Sequence, residues 1–496
     1  MKNKNGFTLV ELLAVIVVLA IILIIAIPNI SKNLQKAKDR SYVNQIKMLE
    51  KAAKLYHVKN SEDFEITIEE LLDQNFLSEK PTDPRDGTEI TYGVIIISEV
   101  SSNHFTYEYD ADAIPTPPPL DGDGDGYTDA AEILAGTDPE DAGDKPVASS
   151  CFPDDIANCP GTTVVIPVGT TEIAASAFLS NATLTTIIVP EGVTTIGASA
   201  FQSSAVANIA LPESLTSIGI SSFAGSNLTS IVIPDGITRI ENETFANAPL
   251  TSATLPEGLL TIGYKAFMGA DFTGVIIPET VTAIEGWAFQ ASSINSIEIP
   301  ASVETIGTYA FHGTYIDEVI FNEGLLRIES IAFYAGNLLN VDLPDSLTYV
   351  GAEAFNGNSL GELVISPGLT SIPTKAFMSA GVTSVTIPEG ITSIGTQTFY
   401  GNSFTTVTIP STVTAIGMMA FTSSSLNNLI ISEGITTIPS YAYYGAGLET
   451  VVVPSTVTHI NSNAFKSNGL LTTIAIPVGC TYAADAFDAG ITITTF

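Results

Sequence analysis

Basic side chains are scarce where the chain is longest: residues 151–496 hold 5 Lys and Arg against 27 Asp and Glu. A surface so charged repels phosphate, which excludes nucleic acid as a partner of that region. The cations gather instead at the N-terminus, where residues 1–85 hold 12 of the 18 Lys and Arg. Histidine is as rare. His57, His104, His312 and His459 are scattered, with no recurring carboxylate or nucleophile beside them. No metal-ligand His cluster, Gly-rich phosphate loop or nucleophile elbow appears either, which argues against an enzyme. Three cysteines (Cys151, Cys159, Cys480) are too few for a disulfide scaffold. Charged residues make up only 14% against 45% hydrophobic, a balance that suits a packed core rather than disorder.

Long apolar runs are confined to one place. Phe7 to Ile27 spans 21 residues, about 31 Å as a helix and enough to cross a bilayer's hydrocarbon core. Lys2 and Lys4 place the N-terminus on the cytoplasmic side. Hydropathy alone fits a signal peptide or signal anchor. Against that stand a leader ending in glycine, no small-residue cleavage site after the run, and Glu11 inside it. A charge at a membrane helix centre costs about 2.5–3.5 kcal/mol, so Glu11 needs the membrane edge or a partner. The helical pattern continues as an amphipathic stretch to about residue 58. TIEELLDQNFL (67–77) then reads as a short helix, and EITYGVIIISEV with HFTYEYD as paired strands.

The stretch GFTLVE (6–11) resembles the class III leader of type IV pilins and pseudopilins. The resemblance implies cleavage after Gly6 by a prepilin peptidase and N-methylation of Phe7. It also implies a helix-bending Pro28 and a Glu11 that pairs with the Phe7 ammonium of a neighbouring pilin subunit. On this reading residues 1–6 are leader and 7–58 the transmembrane and assembly helix, with 59–113 a small α+β pilin-like head. The protein sits as a single pass in the cytoplasmic membrane before assembly and reaches the cell surface or pilus afterwards.

A proline-rich linker, IPTPPPL (114–120), is followed by DGDGDGYTDAAE, which fits D-x-D-x-D-G-x5-E in full. Asp121, Asp123, Asp125, Asp129 and Glu132 offer hard oxygen ligands, and Tyr127 its carbonyl, so the segment 121–144 is expected to bind calcium. With the following ILAGTDP it resembles thrombospondin type 3 and dockerin-like segments. Proline-rich chain, not a helix, precedes the loop, and its expected role is to stiffen a stalk.

From residue 163 onward a unit of 22 residues recurs, exemplified by LTSIVIPDGITRIENETFANAP. Twelve of fifteen positions ending the apolar strand are proline, and an aromatic follows eleven residues later in fourteen repeats. Such a period means a solenoid whose stacked turns share one core. The pattern resembles the BspA-type leucine-rich repeats of bacterial and protist surface proteins. The expected fold is therefore multidomain: a pilin helix and head, then a leucine-rich-repeat β-solenoid of about fifteen turns over 151–496. Cys151 and Cys159 are expected to close a short disulfide ahead of the array, leaving Cys480 free or buried.

Within each strand the residues one and three before the proline position should face inward, and those two and four before outward. Val165, Ile188, Val232, Ile276, Ile320, Val364, Ile430 and Val452 then form an exposed apolar stripe, although strand propensity alone also favours such residues. The only acidic residues on this face are Glu298, Glu318, Asp342 and Glu362, in four consecutive repeats. They are the candidate adhesive centre, suited to a basic and apolar protein surface or to a sugar. The resulting expectation is a minor or tip pilin-like subunit that presents the array for adhesion to protein or glycan. The alternative is a structural or type II secretion pseudopilin whose array serves as a spacer.

Overall fold

The computed structural model of the chain describes residues 65–67, 94–101, 104–110, 125, 127–135, 137, 143, 145–147, 149, 161–272 and 274–496. Gly6, Phe7, Glu11, Pro28, Asp121, Asp123, Cys151, Cys159, the assembly helix and the proline-rich linker lie outside these residues. Among the described residues no helix is long and apolar enough to cross a membrane. Two compact units, Met1–Leu120 and Asp121–Phe496, divide the chain.

In the first unit, β1 (Glu65–Thr67), β2 (Val94–Ser101) and β3 (His104–Asp110) form an antiparallel sheet in that order. The expected strand pair is β2 with β3. The third strand was not anticipated, and Thr67, expected to open a helix, instead pairs with Val94; the remainder of 67–77 lies outside the described residues.

The second unit is the solenoid. Most turns carry a strand of three or four residues and then one of two residues, and fifteen of the latter recur from Glu172–Ile173 to Thr481–Tyr482. Strands of successive turns pair in parallel with a 22-residue offset, as in Ser296↔Glu318 and Thr305↔Arg327. Ser296–Ile299 alternates exposed, buried, exposed, buried, so the inward and outward sets are those the pattern prescribes. Apolar side chains are continuous from Val164 to Ala486.

The repeated aromatic builds the interior spine. Fifteen rings, from Phe178 to Phe487, stack on one another with centroids 5.0–5.9 Å apart and planes within 22°. These are offset-stacking distances. Tyr443 takes one place in the ladder, fully buried, and no protein group lies within hydrogen-bonding distance of its hydroxyl.

Two residues before each ring, from Ser176 to Asn463, the backbone turns left-handed with φ between 55° and 63°, and none of these residues is glycine. That conformation costs roughly 1–2 kcal/mol per residue. A bond to the next turn offsets it: the N–H of Trp287 donates to the Thr308 carbonyl at 3.0 Å, and that of Lys265 to Gly286 at 3.1 Å. Glycine is needed elsewhere, just after the short strand. A Cβ at Gly351 would collide with the Ser330 backbone of the preceding turn.

Candidate ligand-binding face

The outward residues of the longer strands form two rows along the solenoid axis. One runs Glu298, Ile320, Asp342, Val364 and the other Ser296, Glu318, Asn340, Glu362, set by the pairings Ser296↔Glu318, Glu298↔Ile320 and Glu318↔Asn340. All eight residues are exposed. The four carboxylates thus alternate between the rows, so each has an uncharged neighbour above and below it in its own row. Asn322 Nδ2 donates to Glu298 Oε1 at 2.9 Å and steadies that carboxylate. Beyond the patch the apolar stripe is bare, with Ile276 86% exposed and Val452 68%.

The stripe is not bare throughout. Val165 is partly buried and Ile188 fully buried, a correction to the uniformly exposed face expected from the repeat. Helix α1 (Asp129–Ala135) lies across the strands Thr186–Ile188 and Asn208–Ala210. Tyr127, Ala131 and Ile188 form a small second core, with Leu134, Ala135, Val165 and Ala210 packed against it. The Tyr127 hydroxyl donates to the Ile166 carbonyl at 2.9 Å, tying the segment to the first turn. Burial foremost, and the neighbouring Asp125 carboxylate, raise the Tyr127 phenol above its usual range.

Local chemistry explains the helix. Thr128 Oγ1 accepts the Ala131 N–H at 3.1 Å, an N-cap, and Thr137 N–H closes the far end on the Glu132 carbonyl at 3.0 Å. Ser149 pairs with Val165 through its N–H to the Val165 carbonyl and its Oγ from the Val165 N–H, at 2.9 and 3.0 Å. It thereby covers the free edge of the first strand, as sheet edges require. The segment is a cap on the array rather than a free stalk. The signal was in the sequence: Ala131, Leu134 and Ala135 fall at helical spacing just after the loop.

Of the expected calcium ligands, Asp125, Tyr127 and Glu132 have described side chains. Asp125 Oδ1 accepts the Tyr127 N–H at 2.9 Å, curling the loop, and Glu132 is fully buried on α1. Among the described residues no three His, Cys, Asp or Glu side chains converge as metal ligands; Asp121 and Asp123 are outside that set. Cys480 is a free thiol, partly buried, with its pKa pushed up by burial.

The wall carrying the rings has its own side-chain ladder, which the sequence reading missed. Glu243 and Lys265 pair at 3.8 Å, Glu353 and Lys375 at 3.2 Å, and Trp287 stacks on Tyr309 at 4.5 Å and 13°. Tyr264 abuts Trp287, while His312 links Tyr309 to Tyr334. Trp287 and Tyr309 cover each other's faces, so this cluster buttresses the turns rather than offering open stacking platforms. Burial lowers the His312 pKa and keeps it neutral near pH 7.

Residues 147–273, 260–383 and 370–488 match the BspA type leucine rich repeat region. The chain belongs to this family. The BspA-type array is similar in fold to a leucine-rich repeat protein from Bacteroides ovatus, with a TM-score of 0.55 and 22% identity over 68% of this chain and 84% of that one. Residues 1–27 match the prokaryotic N-terminal methylation motif, which holds Gly6, Phe7 and Glu11. The N-terminal region is 32% identical over 88 residues to type II secretion system core protein G of Aeromonas hydrophila, covering 17% of this chain and 62% of the relative. It is 28% identical over 99 residues to competence protein ComGC of Halalkalibacterium halodurans, covering 20% of this chain and 94% of the relative. The chain spans 62% of the Aeromonas relative and 42% of core protein G from Vibrio cholerae. A BspA-type array joined to a pseudopilin-like N-terminus is thus the organisation of the chain.

Proposed function

We propose that the chain is a minor or tip pilin-like subunit that carries its BspA-type array to the cell surface for adhesion, with no catalytic role. The observation that carries this reading is an array whose strand face stays bare from Val232 to Val452, on a chain with a prepilin methylation motif. Prepilin peptidase cuts after Gly6, Phe7 is methylated, and Glu11 pairs with the Phe7 ammonium of a neighbouring subunit as the helix leaves the membrane. Pro28 bends that helix. The ligand is a protein or glycan that meets Glu298, Glu318, Asp342 and Glu362. Calcium is held by Asp121, Asp123, Asp125, Asp129 and Glu132 with the Tyr127 carbonyl, and Cys151 pairs with Cys159. A bound cation would neutralise carboxylates that otherwise repel one another.

The similarity to type II secretion core proteins favours a second reading, a secretion pseudopilin whose array is a spacer. Immunogold labelling of the array on intact cells separates the two. Gold at filament tips supports the adhesin. Gold along whole filaments or confined to the cell body defeats the tip assignment. Mass spectrometry of the mature N-terminus should find N-methyl-Phe7, and an intact Met1 would remove the pilin reading altogether.

A further inference from the structure

The chain already shows how its strand face is occupied. On the first three turns Val165, Ile188 and Ala210 receive α1, a short helix that lays Ala131, Leu134 and Ala135 across the strands while Tyr127 anchors it. The same row continues uncovered through Val232, Ile276, Ile320, Val364, Ile430 and Val452. The eleven row positions from Val232 to Val452 span about 50 Å at sheet spacing, the length of a helix of roughly 30 residues. Charge divides the two stretches. Under α1 the outward residues are Thr163, Thr186 and Asn208 beside the apolar row, with no carboxylate among them. Glu298, Glu318, Asp342 and Glu362 stand only on the bare stretch, where they favour a basic occupant and disfavour an acidic one.

We propose that the bare strand face docks a basic amphipathic helical segment of a partner protein, seated across the strands as α1 is. Small apolar residues meet the stripe and Lys or Arg meet the four carboxylates. This mode of recognition, helix on an apolar strip with flanking charge, needs only features that the face presents. The inference rests on the adhesin reading and names the chemistry of its ligand.

A test uses the full chain and a fluorescent synthetic helix of ~20 residues built from Lys, Ala and Leu, long enough to be helical in water. Anisotropy should report binding that is absent for a Glu, Ala and Leu counterpart and for a scrambled, non-amphipathic Lys peptide. The combined change Glu298→Gln, Glu318→Gln, Asp342→Asn and Glu362→Gln should weaken it by about tenfold or more. An equal charge change off the two rows, Glu213→Gln, Asp235→Asn, Glu257→Gln and Glu279→Gln on the turns that follow the strands, should weaken it clearly less than the face variant, since exposed charges outside the contact are screened. Ile276→Ser, at a position too exposed to matter for folding, should weaken it independently. Equal loss in the two fourfold variants means diffuse charge attraction and overturns the proposal, as does binding of the acidic or scrambled peptide or no binding at all. Glycan-array binding lost only in the face variant, without peptide binding, overturns it in favour of a sugar. Deleting the array tests the adhesin reading separately: unaltered cell adhesion defeats that reading whatever the peptide does.

Discussion

Turns one to three and turns four onward are built alike and finished differently. Both regions have the same parallel strands and ring ladder, and β-branched apolar residues recur in the outward row of both, joined in the second by threonines and by Glu298 and Asp342. In the first region that row is covered by α1, wholly at Ile188 and partly at Val165 and Ala210, whereas in the second Ile276 is 86% exposed. The interior therefore does not decide which face is free. A separate segment does, and the apolar residues it covers, Val165 and Ile188, are of the same kind as the Val232 and Ile276 left open.

This comparison can be broken from the inside first. Phe201 lies in the capped region and Phe311 in the bare one, and both are fully buried in the ladder. Replacing either by Ala should cost about 3–5 kcal/mol by chemical denaturation, and nearly the same amount in each region. Unequal costs would mean that the cap also bears on the interior. Next in size is the cap itself. Tyr127→Ala removes its anchor ring and the bond to Ile166, and about 3 kcal/mol of local stability should go with it. Hydrogen exchange should quicken in turns one to three and stay unchanged beyond them, because repeats couple chiefly to neighbours. Uniform quickening along the array would contradict the cap's local role.

A smaller effect, of opposite sign, is expected at Tyr443. Its buried hydroxyl has no protein partner, so Tyr443→Phe should raise stability by about 1–2 kcal/mol at little packing cost. The smallest effect is on pH dependence. Two backbone N–H groups hold Glu323 below the usual carboxylate range, and the same is true of Glu433. Their contribution is complete above that range and lost as pH falls through the lowered pKa. Glu213 runs the other way: burial first, then the charges of Asp235 and Glu191, raise its pKa, so the fold gains as that group protonates. Thermal midpoints recorded against pH should fall less steeply in acid for Glu323→Gln with Glu433→Gln than for the unaltered chain.

Much of the array was legible because each repeat carries its own instructions. The strand alternation, the proline positions and the aromatic spacing fall on the observed strands and ladder, and Phe487 joins the stack although it comes one residue early. Exposure of the outward row was less legible. Val165 and Ile188 read like Val232 and Ile276, and only contact with a segment more than 30 residues upstream separates them. The left-handed residues before each ring were also hidden, since Trp287 or Ile331 gives no local hint of positive φ. They hold that conformation because the next turn's carbonyl accepts their N–H, a contact that exists only in the stack.

The central claim is that the bare strand face binds, with its four carboxylates at the centre. Its most direct test is the adhesion of cells displaying equal amounts of the unaltered chain or of the chain carrying Glu298→Gln, Glu318→Gln, Asp342→Asn and Glu362→Gln. Adhesion should fall to the level of cells lacking the protein while the thermal midpoint stays unchanged, and undiminished adhesion by that variant would contradict the claim.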